Sequence, residues 1–467
     1  MAFFFPGVAD VEETIAAVAT APGEAALAIV RVSGPEALPI VARVFRPERT
    51  SRETWRESHR VSHGWVLDEG GRELDEVLVV VMRAPRTYTR EDVVEIGCHG
   101  GVAVSRGILR ALLEAGARLA APGEFTRRAF LNGRMDLTQV EAVMDLISSR
   151  TRRSARAAAA RLAGKLAERV REARRLVFDL LAELEARIDF PEEGLGELPA
   201  EWARETLQGI RDRVGRLLAT AGRGRALREG VRTVLAGRPN VGKSSLLNAL
   251  LGEDRAIVSE IAGTTRDYLE ENLSIGGVPL VLVDTAGIGQ GGGPLDQLGV
   301  ERARRLIREA DLVVVVLDDA AGLRPEDREI LALLKDRPCV VALNKADLGR
   351  QAVDAAAVGE VLDDAPVVRV SAATGQGLKE LEEAVQARVG LEGPDEAALV
   401  GNLRQEAALR RGLEALDGGL EALREERPWD LVAVDLREAY EALGEVTGES
   451  GGADLVAEIF SRFCIGK

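Results

Sequence analysis

Gly237-Arg238-Pro239-Asn240-Val241-Gly242-Lys243-Ser244-Ser245 lies between the apolar run Val231–Leu235 and the helix-like stretch Ser244–Leu251. It matches the G-x-x-x-x-G-K-[ST] phosphate loop, in the strand-loop-helix setting that loop requires. That setting separates it from a chance match in a chain with 49 glycines. Glycines let the backbone turn its N–H groups inward around phosphates, and the N-terminus of the following helix adds to the anion site. Lys243 reaches the terminal phosphates, and the Ser244 hydroxyl can ligate Mg2+.

Outward from this loop the texture alternates strand and helix. Leu273–Ile275 and Leu280–Val283 flank Gly276-Gly277, a hairpin signal. Leu312–Leu317, Val340–Leu343 and Val367–Val370 are unbroken apolar runs of the kind buried in parallel sheets. Asp284-Thr285-Ala286-Gly287 ends one strand; its carboxylate can hold Mg2+ through water, and the Gly287 N–H can sense the γ-phosphate. Asn344-Lys345-Ala346-Asp347 ends another. A carboxylate at Asp347 can accept from N1–H and the 2-amino group of guanine, whereas adenine offers neither donor and would leave it unpaired. Ser371-Ala372-Ala373 closes the base pocket with backbone donors toward the guanine oxygen. Four such motifs in order, each at a strand's C-terminal end, specify a doubly wound GTP-binding domain.

Hydrolysis needs a positioned water. Ras-like switches use a Gln after D-x-x-G, but Ile288 occupies that place and cannot hydrogen-bond. A downstream carboxylate such as Asp296 is the candidate substitute. Within Gly263-Thr264-Thr265-Arg266-Asp267, Thr265 is the switch threonine expected on Mg2+. Asn240 has two readings of equal weight: a plain turn residue, or an oxygen donor to a monovalent cation standing where other GTPases place an arginine finger.

The whole chain of 467 residues is long enough for two to four domains. Its 46% hydrophobic and 29% charged content is ordinary for globular proteins. A net charge of −15 excludes a simple nucleic-acid coat without excluding a local basic face. Residues 1–132 mix apolar strands (Ala25–Val32, Val77–Met82, Val93–Ile96) with Gly/Pro punctuation and read as α+β. Residues 133–229 and 389–467 are Ala-, Arg-, Leu- and Glu-rich and read as helical. The α/β domain, 230–388, is therefore inserted into an α-helical domain. Three scattered cysteines fit a reducing cytoplasm, and the longest apolar run is far too short for a membrane span. Only six basic residues are Lys, against 55 Arg, so Lys243, Lys345 and Lys467 draw attention as chosen point charges.

The phosphate loop, G-T-T-R-D, D-T-A-G and N-K-A-D, joined to the terminal Phe463-Cys464-Ile465-Gly466-Lys467, resemble the MnmE (TrmE) family of tRNA-modification GTPases. Thr14–Thr20, Ile29–Pro35, Pro122–Gly133 and Leu443–Gly448 also look like its signatures, so the resemblance covers nearly the whole chain. It implies an N-terminal folate-binding, dimerising domain, a helical domain and an inserted Ras-like P-loop domain. A reduced tetrahydrofolate derivative would donate a one-carbon unit to C5 of a wobble uridine in certain tRNAs, with the FAD-carrying partner MnmG (GidA) in a heterotetramer or larger complex. Folate contacts map onto Arg31, Glu95, Arg134 and Lys467. Potassium contacts map onto Asn240, Ser259, Ile261 and Thr264, and Mg2+ onto Ser244 and Thr265. Three departures stand out. Glu24–Ala28 replaces a Gly-rich segment beside the folate pocket, Arg134 replaces a common Lys, and Asp296 replaces a water-positioning Glu.

Residues 150–175 carry ten basic side chains against Glu168 and Glu172. On a helix they form either a stripe for a tRNA backbone or a solvated face paired with acidic neighbours. The rival to the whole reading is a molecular-switch GTPase for ribosome or RNP assembly, with no folate chemistry.

Overall fold

A computed structural model describes residues 13–49, 54–190, 198–255, 270–283, 305–362, 365–390, 398–450, 459–460, 463 and 466. The chain divides into two compact units, 1–144 with 443–467, and 145–442.

The first unit is built on a seven-stranded sheet. Its strands are β1 (Ile15–Val18), β2 (Ala25–Ser33), β3 (Phe45–Pro47), β4 (Arg60–Leu67), β5 (Glu73–Met82), β6 (Val93–Gly100) and β7 (Arg118–Leu119). Their order is β3-β4-β5-β6-β2-β1-β7, antiparallel except for β1 with β7. Alternation decides which face is covered. Val77, Val79 and Val81 of β5 and Val30 and Val32 of β2 are buried with the Ala37–Val44 and Val102–Glu114 helices, which supply Ile40, Val41, Ile108 and Leu112. The other face carries Leu27, Val61 and Leu78, exposed by 69, 60 and 50%. Over the Glu24–Ala28 departure, pairing with β6 shifts register between Ala25 and Leu27. The terminal residues pack back on this unit. A side chain at Gly123 would meet the Phe460 carbonyl at 2.8 Å, and one at Gly466 would strike the Val18 carbonyl.

In the second unit, β8 (Val231–Ala236), β9 (Glu270–Ile275), β10 (Val278–Val283), β11 (Leu312–Asp318), β12 (Cys339–Asn344) and β13 (Val367–Arg369) are ordered β13-β12-β11-β8-β10-β9. Every pair is parallel except β9 with β10. The order reverses beside β8, so the crevice beyond its C-terminal end is the binding position of a doubly wound sheet. Apolar clusters cover both faces. That double burial is why β11 and β12 read as continuous apolar runs.

The helical stretch 137–190 is three helices, Leu137–Ile147, Arg152–Leu162 and Lys165–Asp189. Thr151 and Ser154 form a capping box that starts the second, and Gly164 at φ +84° separates it from the third. No helix among the described residues is long and apolar enough to cross a membrane.

Candidate functional site

Beyond the end of β8 the chain must reverse within a few residues to start the Lys243–Arg255 helix. Gly237 (φ +150°) and Gly242 (φ +96°) make the turns. A side chain on Gly242 would run into the Asn344 amide, and one on Gly237 into the Val316 carbonyl. Asn240 also has positive φ (+63°) and is exposed at the tip. The Lys243 ammonium donates to the Gly237 and Arg238 carbonyls at 2.7 and 2.8 Å. Burial lowers its pKa, so an anion beside it would be strongly favoured. Ser244 and Ser245 are exposed in the first helical turn, where unspent backbone N–H groups and the helix dipole attract anions.

Asn344, at the end of β12 and 2% exposed, ties this loop to the second one. Its Nδ2 donates to the Val241 carbonyl (2.9 Å), and its Oδ1 accepts from the Ala372 N–H (3.0 Å). Lys345 (φ +68°) donates to the Asn240 carbonyl (3.0 Å) and to Asp318 Oδ2 (2.6 Å). Burial alone would raise the Asp318 pKa, but Lys345 and the Ala320 and Ala321 N–H groups outweigh it and hold the carboxyl below its usual value. Ser371 is buried; its hydroxyl donates to Asp347 Oδ1 (2.6 Å) and accepts from the Thr374 N–H (3.2 Å). Asp347 is thus aimed by a neighbour, with Ala373 exposed beside it. Lys243, the first turn of its helix and the exposed Asp347 carboxylate are thus held together through Asn344, Lys345 and Ser371. Such a set can hold a triphosphate at one end and select a base by its donors at the other.

A second cluster lies on the first unit. Register places Arg31 of β2 directly beside Glu95 of β6. Arg31 Nε and Nη2 lie 2.8 and 2.7 Å from Glu95 Oε1, while its Nη1 is buried without a hydrogen-bond partner among the described residues. The Tyr88 ring is stacked by two guanidinium groups, Arg31 at 5.0 Å and Arg134 at 4.8 Å, and Phe125 lies 5.6 Å from Arg31. Arg134 Nη1 also donates to the Tyr88 carbonyl (2.9 Å).

Two family profiles match the chain: "GTP-binding protein TrmE N-terminus" over residues 14–134 and "MnmE helical domain" over 137–464. It is 50% identical to the tRNA modification GTPase MnmE of Symbiobacterium thermophilum, across 98% of this chain and 100% of that protein. It is 48% identical to the MnmE of Heliobacterium modesticaldum (98% and 100%) and 44% to that of Alkaliphilus metalliredigens (98% and 99%). The chain belongs to the MnmE family of tRNA modification GTPases. Like other MnmE proteins it combines a TrmE-type N-terminal domain, a helical domain and a P-loop GTPase domain, and it is a GTP hydrolase.

Of the MnmE site residues expected above, the structure brings together Asn240 to Ser245 with Asn344, Lys345, Asp347 and Ser371 to Ala373, and separately Arg31, Glu95 and Arg134. Ser259, Ile261, Thr264, Thr265, Asp284, Thr285, Ala286, Gly287, Asp296 and Lys467 lie outside the described residues. Sequence reading missed Asp318, which fixes Lys345, and Tyr88, which organises both arginines. An acidic residue closing the apolar run Leu312–Leu317 was the available signal for the first. A chain holding only three tyrosines offered one for the second.

Proposed function

We propose that this chain is a potassium-stimulated GTPase that works with an FAD-carrying MnmG partner. Together they install a C5 aminomethyl-type group on the wobble uridine of certain tRNAs, with a reduced folate as one-carbon donor. When bound, the folate supplies the carbon; this chain's residues bind, orient and shield it. The observation that carries the folate part is the Arg31–Glu95–Tyr88–Arg134 cluster. Arg31 Nη1 is a buried donor with no partner among the described residues, suited to a carboxylate or ring acceptor, and the Tyr88 face offers a stacking surface. Glu95 would accept from paired pterin donors, and Arg134 and Lys467 would meet the anionic tail.

At the nucleotide, Lys243 and the loop N–H groups would hold the phosphates and Asp347 the guanine. Ser244 and Thr265 would ligate Mg2+. Asn240, Ser259, Ile261 and Thr264 would ligate K+, which supplies positive charge at the transition state. Asp296 would orient the attacking water. Replacing it with Ala should lower hydrolysis in potassium, and an unchanged rate removes it from the mechanism.

The exposed apolar side chains Leu27, Val61 and Leu78 on one sheet face favour a homodimer through the N-terminal domain. The division at 1–132, 133–229, 230–388 and 389–467 and a cytoplasmic location belong to the same reading. Family membership favours tRNA modification over a ribosome-assembly switch. Titration with tetrahydrofolate tests the difference. The wild type should bind and Arg31→Ala should bind at least tenfold more weakly; no binding by the wild type sinks the folate chemistry.

A further inference from the structure

The phosphate loop holds a cation to which the nucleotide motifs assign no task. Arg238 follows Gly237 and precedes the exposed pair Pro239-Asn240 at the tip of the loop. Its side chain is nevertheless 13% exposed, and its Nε donates to Asp327 Oδ1 at 2.7 Å. Asp327 is 1% exposed and lies in the first turn of the Pro325–Ala332 helix. Its other oxygen accepts from the Arg324 N–H at 3.0 Å, the backward reach by which an acidic side chain caps a helix start. The helix therefore fixes the carboxylate, and the carboxylate fixes the guanidinium. Arg suits such a buried pair because its charge is delocalised and weakly hydrated.

The backbone of the same arginine holds Lys243. The lysine ammonium donates to the Gly237 and Arg238 carbonyls at 2.7 and 2.8 Å. An ammonium has three donors, so two fixed bonds give the remaining one a direction. Burial disfavours the charge on Lys243, and these two carbonyl dipoles offset that cost. We propose that Arg238 is a positioning residue for GTP: anchored on Asp327, it sets the carbonyl that aims Lys243 at the phosphates.

The segment that bears the anchor supports this role. The chain leaving β11 supplies two carboxylates to the loop, Asp318 and Asp327. Asp318 takes Lys345 at 2.6 Å, and Lys345 in turn donates to the Asn240 carbonyl at 3.0 Å. Asp327 takes Arg238. Residues 318–327 thus hold the loop on both sides of Pro239, whose ring fixes its own φ, although they contain none of the nucleotide motifs. Asn344 secures the next position through the Val241 carbonyl. Lys243 is presented by a loop whose shape is set before nucleotide arrives, which spares the ordering cost on binding.

The test is a double-mutant cycle on the full-length protein, read by titration with a fluorescent, non-hydrolysable GTP analogue in Mg2+. Arg238→Met/Asp327→Asn removes both charges, so no buried charge is left unpaired. It should weaken binding about three- to thirtyfold, the span that coupled neighbours show. In a Lys243→Ala background the same change should weaken binding by less than about twofold, because the lysine it acts through is gone. An equal loss in both backgrounds makes the pair a general support of the fold and overturns the proposal, as does wild-type binding by the paired variant. Asp327→Ala alone should weaken binding in the same way. Binding as tight as wild type in Asp327→Ala would make Arg238 a direct phosphate ligand and also overturns it. Thermal unfolding without nucleotide checks the fold, and Asp327→Ala carries the same cycle should the paired variant fail to fold.

Discussion

Asn344 is the buried side chain that, beside Lys345, joins the phosphate loop to the base loops, and removing it gives the sharpest prediction about the nucleotide site. In Asn344→Ala the buried Val241 carbonyl loses its 2.9 Å donor, at a cost of about 1–3 kcal/mol for an unsatisfied buried group. The Ala372 N–H loses its 3.0 Å acceptor in a partly buried position, which adds about 0.5–1.5 kcal/mol. Together that is about 1.5–4.5 kcal/mol, shared between the stability of the free protein and the ordering of both loops around nucleotide. With about 1.4 kcal/mol per decade, half of it on binding weakens affinity about three- to fortyfold. Asn344→Asp separates charge from shape. It retains an acceptor for Ala372 but sets a carboxylate oxygen against the Val241 carbonyl, so it should be at least as damaging. The assay is titration of a fluorescent GDP analogue with Mg2+ present, alongside thermal unfolding without nucleotide. Binding within twofold of the wild type by both variants, with unchanged melting, would refute the idea that Asn344 couples the two loops.

Other outcomes follow from the same structure. Asp145 accepts from Arg161 and Arg228, each at 2.7 Å, and Arg161 is buried, so Asp145→Ala should cost about 3–5 kcal/mol and visibly lower the calorimetric melting temperature. A melting temperature within a degree of wild type would contradict that. Gly277 has φ +81° and a side chain there would sit 2.7 Å from Arg153 Cδ. Arg153 can swing aside, so Gly277→Ala should lose only the backbone penalty of about 1–2 kcal/mol, and an Arg153→Ala background should not rescue it. His63 has its pKa raised by hydrogen bonds to Glu48 and Glu76. A raised folded-state pKa gives stability that is complete below the unfolded value near 6.5 and is lost as pH climbs through the folded value. The stability difference between wild type and His63→Gln should therefore shrink from pH 5.5 to pH 8.5, and a difference that grows would reverse the assignment.

The nucleotide domain was legible because its signals are local. Buried parallel strands such as Leu312–Leu317 are unbroken apolar runs, and each motif sits within a few residues of a strand end. Asp318 escaped notice because its role depends on Lys345, 27 residues away. The Arg31–Glu95 contact spans 64 residues and exists only through the register of β2 with β6, which no local pattern encodes; both residues came from the family resemblance. Tyr88 had no such guide. The basic stretch 150–175 is less regular than its sequence reads, for a related reason. Helical periodicity predicts faces, but here a cap at Thr151 and a left-handed Gly164 break one helix into separate pieces. Asp145 then draws Arg161 inside. Composition counts charges without saying which carboxylate each one meets.

The most direct measurement is mass spectrometry of wobble uridine in tRNA from a strain lacking its own MnmE and complemented with this protein. Restored C5 hypermodification, lost again with Arg31→Ala or with a phosphate-loop Lys243→Ala variant expressed at equal level, is the predicted result. Uridine that stays unmodified while the wild-type protein is present, folded and hydrolysing GTP alongside its MnmG partner would contradict the account.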